Sequence, residues 1–441
     1  SKVSPLMPRG YVDVIEAGAA GRPGDRLIHT DKNNFAPRIG LAYRPWGNNT
    51  VLRAGYGLFY DVVSRAENAG GVPFAIDEPA FTNPANNPVV IFPRVFPDSV
   101  AGPTTVGIPA AIRPDLRVPY SMQYNLTLEH QRWNTGFRLS YIGTNTRQGE
   151  YQYNINQPLP DNRPYVDKPR RFPNYPAINY LTNGAGHQYH SLTVEVERRY
   201  LQGFSYQGSW VWARDIADLD RGGTPENAYD RQRERGVWLD IPTHRLTGNV
   251  IYELPFGRGK RWLSSSSGVV GALFGGWDIS SILSYHSGQF LTPMWTGPDP
   301  TGTAFTTSRT PANVTIRPDQ LRDGNLPSSE RTTSRWFDVS AFTAPAVGRY
   351  GTAARGVLFG PISKVFHAGL SKHFDFGERM RLRLEITSTN LFNHPNYSPL
   401  AEGAVNITQT AQVGVVSGVG DTADLDQSGA RSFRAGIRLE W

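Results

Sequence analysis

Cysteine is absent from the 441 residues. That removes disulfide frameworks, thiolate metal sites and cysteine nucleophiles, and it fits a chain that crosses an oxidising compartment. Lysine is scarce too: of 45 basic residues 6 are lysine, which leaves 39 arginines. Subtracting 38 acidic residues from 45 basic ones gives a formal charge of +7. Arginine keeps its charge when partly buried and forks onto carboxylates and phosphates, as the wall of a wet channel or an anionic lipid surface requires. A GC-rich genome would give the same bias. The arginines are spread through the chain beside acidic or apolar neighbours and are not clustered among stacking aromatics, so no nucleic-acid partner is expected.

Long apolar runs are missing as well. No stretch reaches the roughly 18 residues that a spanning helix needs, and mean hydropathy is -0.42. A membrane remains open, because in a transmembrane barrel only alternate residues meet lipid while the lumen side stays polar. Neither a G-x-S-x-G elbow nor an H-E-x-x-H helix occurs, and no enzyme is expected. The segment GRGK at 257–260 lacks P-loop spacing, with Arg261 where Ser or Thr belongs, and reads as a basic periplasmic turn. The opening SKVSPLMPRG has neither an initiator Met nor a signal peptide, which reads as a processed chain or a fragment.

What the sequence does have is period-two alternation, which sends successive side chains to opposite faces of a strand. In RSFRAGIRLEW, Phe433, Ala435, Ile437, Leu439 and Trp441 share one face, and Ser432, Arg434, Gly436, Arg438 and Glu440 the other. In RMRLRLEITSTN, Met380, Leu382, Leu384 and Ile386 alternate with Arg379, Arg381, Arg383, Glu385 and Thr387. Nine further strands are placed near 38–44, 50–60, 119–131, 135–143, 188–199, 203–213, 244–254, 277–288 and 364–374. The total is eleven. Most have the roughly 9 to 11 residues of a tilted strand crossing a bilayer, longer than the usual 5 to 6 of soluble sheets.

Short and long connections alternate. Short turns fall at 45–49, near 133, near 200 and at 375–378, with a medium link at 255–276. Long polar segments without expected structure of their own fall at 61–118, 144–187, 214–243, 289–363 and 392–430. Outer-membrane barrels are built this way, with short periplasmic turns and long extracellular loops. Trp46, Trp133, Trp262, Trp277 and Trp441 sit at or beside short connections or at the last residue, where an interfacial aromatic girdle belongs. The last strand ends on the short-turn side and the first begins on the long-loop side, which makes residues 1–37 an extracellular loop segment. Bacterial barrels normally close on an even count with both ends periplasmic. Further strands are therefore expected before residue 1.

The stretches DKNNFAPRIGLAYRPWG, VLRAGYGLFYD, YELPFGRGKRW, SGQFLTP and NLFNHPNYSP, followed by a terminal strand ending in an aromatic, resemble the barrel of TonB-dependent outer-membrane receptors. The resemblance covers nearly all of residues 31–441 and is nearest to the Oar-like subgroup, whose chains also carry a carboxypeptidase-regulatory-like domain. It implies an all-β, antiparallel transmembrane β-barrel, with 38–441 as the C-terminal half of a 22-stranded barrel. The plug domain and the TonB box are not visible in this chain. Implied partners are outer-membrane lipid, the chain's own N-terminal plug and barrel half, the TonB-ExbB-ExbD complex acting through that region, an extracellular ligand, and accessory outer-membrane proteins. The implied function is TonB-dependent uptake of a ligand too large or too scarce for porins. A non-transporting adhesin or structural barrel, and a soluble propeller, are the competing readings; no fixed-period repeat supports the propeller.

Arg379, Arg381, Arg383, Glu385, Arg434, Arg438 and Glu440 are expected to line the lumen and hold the plug through salt bridges and water. Trp295, Trp336 and Tyr350 are candidates for meeting ligand on the loops. Asp215, Asp218 and Asp220 cluster on what reads as a long loop, where oxygen ligands could hold calcium, although the spacing is not that of an EF-hand. His187 and His190 without a carboxylate or third ligand nearby make a weak metal site. No other cofactor is expected.

Overall fold

The computed structural model describes residues 28–61, 110–173, 175–219, 223–266, 268–376, 380–419 and 429–441. Eleven long strands dominate: β1 (Arg38–Tyr43), β2 (Thr50–Tyr60), β3 (Tyr120–Arg132), β4 (Thr135–Asn154), β5 (Asn179–Leu201), β6 (Phe204–Ala217), β7 (His244–Glu253), β8 (Trp277–His286), β9 (Ser363–Phe376), β10 (Met380–Thr389) and β11 (Ser432–Glu440). Each pairs antiparallel with its neighbours in chain order, giving one sheet that runs from β1 to β11. The all-β architecture is thus the expected one. Among the described residues the outer edges of β1 and β11 pair with nothing, and the sheet stays open.

Turn chemistry sets the register. Trp133 (φ 51°) and Asn134 (φ 57°) are both left-handed between Arg132 and Thr135, and Gln202 (φ 55°) and Gly203 (φ 80°) repeat this between Leu201 and Phe204. Two-residue turns of that hand match the twist of the strands they join. Register then stacks like with like. Ile437 faces Leu384, Leu384 faces Lys372, and Ala435, Ile386, Leu370 and Ile279 form the next row. That side of the sheet carries the exposed apolar stripe that the sequence assigns to lipid.

β4 and β5 correct the expected lengths. Alternation alone gives nine and twelve residues, at 135–143 and 188–199, and the strands have 20 and 23. At about 3.3 Å per residue, they rise well beyond a hydrocarbon core of about 30 Å. A β-bulge explains why the pattern broke: Gln148 is left-handed, the pairing shifts between Thr146 and Gly149, and alternation changes phase there.

The long connections are also not structureless. Segment 287–362 contains three paired ribbons: Phe290–Leu291 with Leu358–Phe359, Trp295–Pro298 with Asn313–Ile316, and Asp319–Gln320 with Phe342–Thr343. Together with 390–419 it encloses an apolar core around Trp336, Phe337, Ala341, Leu358, Val405 and Val416. Among the described residues the largest apolar cluster of buried side chains therefore lies in the loops and not in the sheet, whose own apolar stripe stays exposed. No described helix is long and apolar enough to cross a membrane.

Candidate functional site

The sheet's second face is polar and carries a ladder of charge. Arg53 of β2 meets Glu129 of β3 at 3.2 Å, Glu129 meets Arg138 of β4 at 3.1 Å, and Arg138 meets Glu195 of β5 at 2.8 Å. Each link joins adjacent strands, as opposite charges set across a pair should. A concavity of about 630 Å3 opens against these rungs at the short-turn end, between Asn49, Asn134 and Gln207. Across the sheet the same face holds the expected wall. Arg381 lies opposite Glu440 and bonds Asp375 at 2.7 Å; Arg383 lies opposite Arg438, bonds Ser371 at 3.0 Å and sits 3.1 Å from Glu385; Arg434 lies opposite Thr387. Arg438 and Glu440 approach to 3.7 Å. Arg379 is outside the described residues.

Above the sheet the loops are fastened by buried charge. Arg317, with 4% of its side chain exposed, reaches segment 218–243. It bonds Glu226 at 3.0 and 3.1 Å, Glu234 at 2.9 Å and the Arg233 carbonyl at 2.6 Å. Burial holds the Glu234 carboxyl above its ordinary value even with Arg317 beside it. Lys168 is a second fastening. Its fully buried ammonium donates to the carbonyls of Leu159 (2.9 Å), Asp161 (3.2 Å) and Thr301 (2.6 Å) and lies 3.0 Å from the Asp161 carboxylate. Neither is legible in the sequence, because the Arg317 partners and Thr301 lie far away in the chain and no contact follows a period.

Gly302 shapes the Lys168 seat. It is left-handed (φ 63°), and a Cβ there would stand 2.4 Å from the Arg163 carbonyl and 2.8 Å from Lys168 Cε. Gly302→Val is expected to unseat the lysine. Peptide mapping after amine acylation should show Lys168 unreactive in the parent and modified in the variant; equal protection in both would refute the seat.

A third fastening responds to acid. Asp319 takes both arms of Arg349 (2.6 and 2.7 Å) and the amides of Ala346 (3.1 Å) and Thr352 (3.0 Å). Burial acts to raise this carboxyl, but the guanidinium and the two amides outweigh it and hold it below its ordinary value. A carboxyl lowered in the native state adds stability above its unfolded value, about 3.9, and that stability is lost as pH falls through the native one. Pepsin is therefore expected to cut 319–352 increasingly below about pH 3.9, and Asp319→Asn should flatten that dependence.

The ligand candidates separate. Trp295 lines a cleft of about 380 Å3 with Tyr165, Arg163, Arg309 and Val347, open on the loop cap. Trp336 is buried and donates its indole N–H to the Phe359 carbonyl at 2.9 Å. Tyr350 is buried 3.0 Å from the Thr303 hydroxyl, and burial pushes its phenol up to about 12. Those two hold the cap together; only Trp295 lines the cleft.

Of the three aspartates, Asp215 departs from the loop reading. Asp215 is on β6, where its carboxylate pairs with His187, while Asp218 follows the strand and accepts from the amides of Gly186 and Leu219 at 2.8 Å and from Arg231 at 3.2 Å. Asp220 is outside the described residues. Among the described residues no group of three acidic or histidine side chains could hold a metal ion. His187 and His190 are three apart on one strand and so face opposite sides of the sheet. Of the girdle candidates, Trp46, Trp133, Trp262 and Trp441 are exposed, and Trp277 donates to the Leu273 carbonyl at 2.8 Å.

Residues 7–433 match the family described as outer membrane beta barrel domain. The chain belongs to that family. This outer membrane beta barrel domain therefore lies in the outer membrane, with its apolar stripes against lipid. Among solved structures it is similar to the outer membrane transporter YddB of Escherichia coli, at 10% identity and TM-score 0.40, over 89% of this chain and 39% of that one. It is similar to the FrpB iron transporter of Neisseria meningitidis at 9% identity and TM-score 0.36, over 92% and 39%. For the ferric-catecholate import receptor Fiu of E. coli K12 the values are 10% and 0.38, over 91% and 34%. The domain thus spans well under half the length of these transporters. No curated protein matches it.

Proposed function

We propose that this domain is the barrel wall of an outer-membrane receptor that imports a ligand too large or too scarce for porins, with energy from the TonB-ExbB-ExbD complex. In this reading it is the C-terminal half of a barrel of the Oar-like subgroup, completed by a further set of strands and a plug. The observation that carries it is the polar face. Cross-strand charge pairs run over β2 to β5 and again from β9 to β10, with Arg381 also opposite Glu440 of β11, and the exposed Ile251 and Ile282 lie on the same side. A mixed surface of that kind suits a folded plug better than free water. Arg381, Arg383, Glu385, Arg434, Arg438 and Glu440 are its plug-holding groups in this assignment. The work is binding and gating, not catalysis.

The ligand enters from the loop cap, where Trp295 and Tyr165 offer flat apolar surface between Arg163 and Arg309. An adhesin would use the cap but would have no need of a charged inner wall. The test is growth of the source bacterium on siderophores, oligosaccharides and peptides as scarce nutrients, with the gene present or deleted and TonB present or deleted. Growth on at least one nutrient should need both genes. If no nutrient depends on either, and only surface attachment is lost, the receptor assignment fails.

A further inference from the structure

The link between β7 and β8 lies at the short-turn end and contains the helix α1 (Gly268–Phe274). Its side chains are apolar and none is buried. Val269 is 74% exposed, Val270 46%, Leu273 60% and Phe274 54%. Positions 269, 270, 273 and 274 follow the i, i+1, i+4, i+5 spacing that gathers side chains into one stripe. Trp262 and Leu263, also exposed, precede the helix. A water-facing turn has no reason to present six such side chains together.

The helix is tied to the outward face of the sheet. Trp277 and Lys372 face each other across β8 and β9 in the lipid-facing row that continues through Leu384 and Ile437. The Trp277 indole N–H donates to the Leu273 carbonyl at 2.8 Å, and the buried Lys372 ammonium bonds the Gly275 carbonyl while lying 4.7 Å from the Phe374 ring centre. Two donors from the outer wall thus take carbonyls at or just past the helix C-terminus, where a cation is favoured. They hold α1 outside the barrel, at the height where the hydrocarbon stripe ends.

Charge agrees with position. Between Leu254 and Gly276 stand Arg258, Lys260 and Arg261 and no acidic residue. Lys260 is taken by Glu253 at 2.6 Å. Arg258 and Arg261 are exposed, and Arg261 stacks over the Trp262 ring. Apolar side chains on a short helix, beside two arginines with no acidic partner among the described residues, form the pattern of an element lying in a membrane interface, with its charges among anionic headgroups.

We propose that α1 and the turn before it form a foot on the periplasmic leaflet, its apolar stripe sunk at the acyl boundary and Arg258 and Arg261 on acidic phospholipid headgroups. The occupant is lipid because the stripe is continuous with the lipid-facing row through Trp277. A foot of this kind fixes the depth and tilt of the barrel independently of the loops.

The absence of cysteine makes the test direct. Leu273→Cys and Val270→Cys, each carrying a nitroxide, would be measured in outer membranes of cells making the protein and after transfer into phosphatidylethanolamine vesicles with phosphatidylglycerol. Ile437→Cys on the outward face of β11 and Val347→Cys on the loop cap serve as references for lipid and for water; both side chains are exposed. The two helix labels should collide with oxygen as Ile437 does, and several-fold less than Val347 with a water-soluble nickel chelate. Omitting phosphatidylglycerol, or pairing Arg258→Gln with Arg261→Gln, should move them several-fold toward the Val347 value. Chelate access equal to that of Val347 overturns the foot. Shielding seen in outer membranes and lost in vesicles gives the face to a protein partner and overturns it too. Indifference to acidic lipid and to both arginines overturns the headgroup contact.

Discussion

Arg317→Ala is expected to unfasten the extracellular cap while leaving the sheet assembled. The guanidinium is the sole described cation within bonding distance of Glu234, so its removal strands that mostly buried carboxylate, while Glu226 keeps Arg233 at 3.4 Å. Breaking a buried pair by deleting one partner costs about 3–5 kcal/mol. Local opening of segments 218–243 and 287–362 should become more frequent by a factor of about 100 or more, since about 1.4 kcal/mol is tenfold in an equilibrium. Proteolysis of whole cells would read this as rapid cleavage in the two segments with intact sheet fragments behind them. The cost is mainly an unpaired charge, so Arg317→Leu combined with Glu226→Leu and Glu234→Leu should recover most of the resistance of the parent. A cap that stays resistant in Arg317→Ala would show that its apolar core suffices alone.

The second large effect is expected on the outer wall. Ile386 stands between Leu370 and Ala435 in the middle of the lipid-facing rows and is exposed. An arginine on the lipid side of a barrel costs about 2–4 kcal/mol near the bilayer midplane. Ile386→Arg should therefore lower the urea midpoint in lipid vesicles by that amount. Thr387→Arg, one residue on and opposite Arg434, projects to the polar side and should lose much less. Equal losses at both positions would mean that the two faces had been exchanged.

Both predictions depend on parts of the molecule that were unequally legible in the sequence. The strands declared themselves because lipid outside and water inside enforce a period of two, so β2, β7 and β10 begin and end within about two residues of the alternation. Arg381, Arg383, Glu385, Arg434, Arg438 and Glu440 fell on one face for the same reason. Where the period changes phase, at Gln148 and Gly149, reading stopped although the strand continued. Asp215 reads as a loop residue because clear alternation in β6 ends at 213, four residues short of Ala217. The loop cap left no periodic trace. Trp336 and Tyr350 belong to its interior through contacts such as Trp336 with Phe359 and Tyr350 with Thr303, and Lys168 finds Thr301 across 133 positions. Side chains that meet only through tertiary folding leave nothing for a local pattern to detect.

The margins of β1 and β11, unmatched among the described residues, have a consequence for width. Backbone groups left bare in hydrocarbon cost several kcal/mol each, so whatever strands join there bind with a large driving force. Eleven strands at about 4.8 Å apiece make an arc of roughly 50 Å. The girth of any closed barrel built on this arc is then decided by what docks at those two margins.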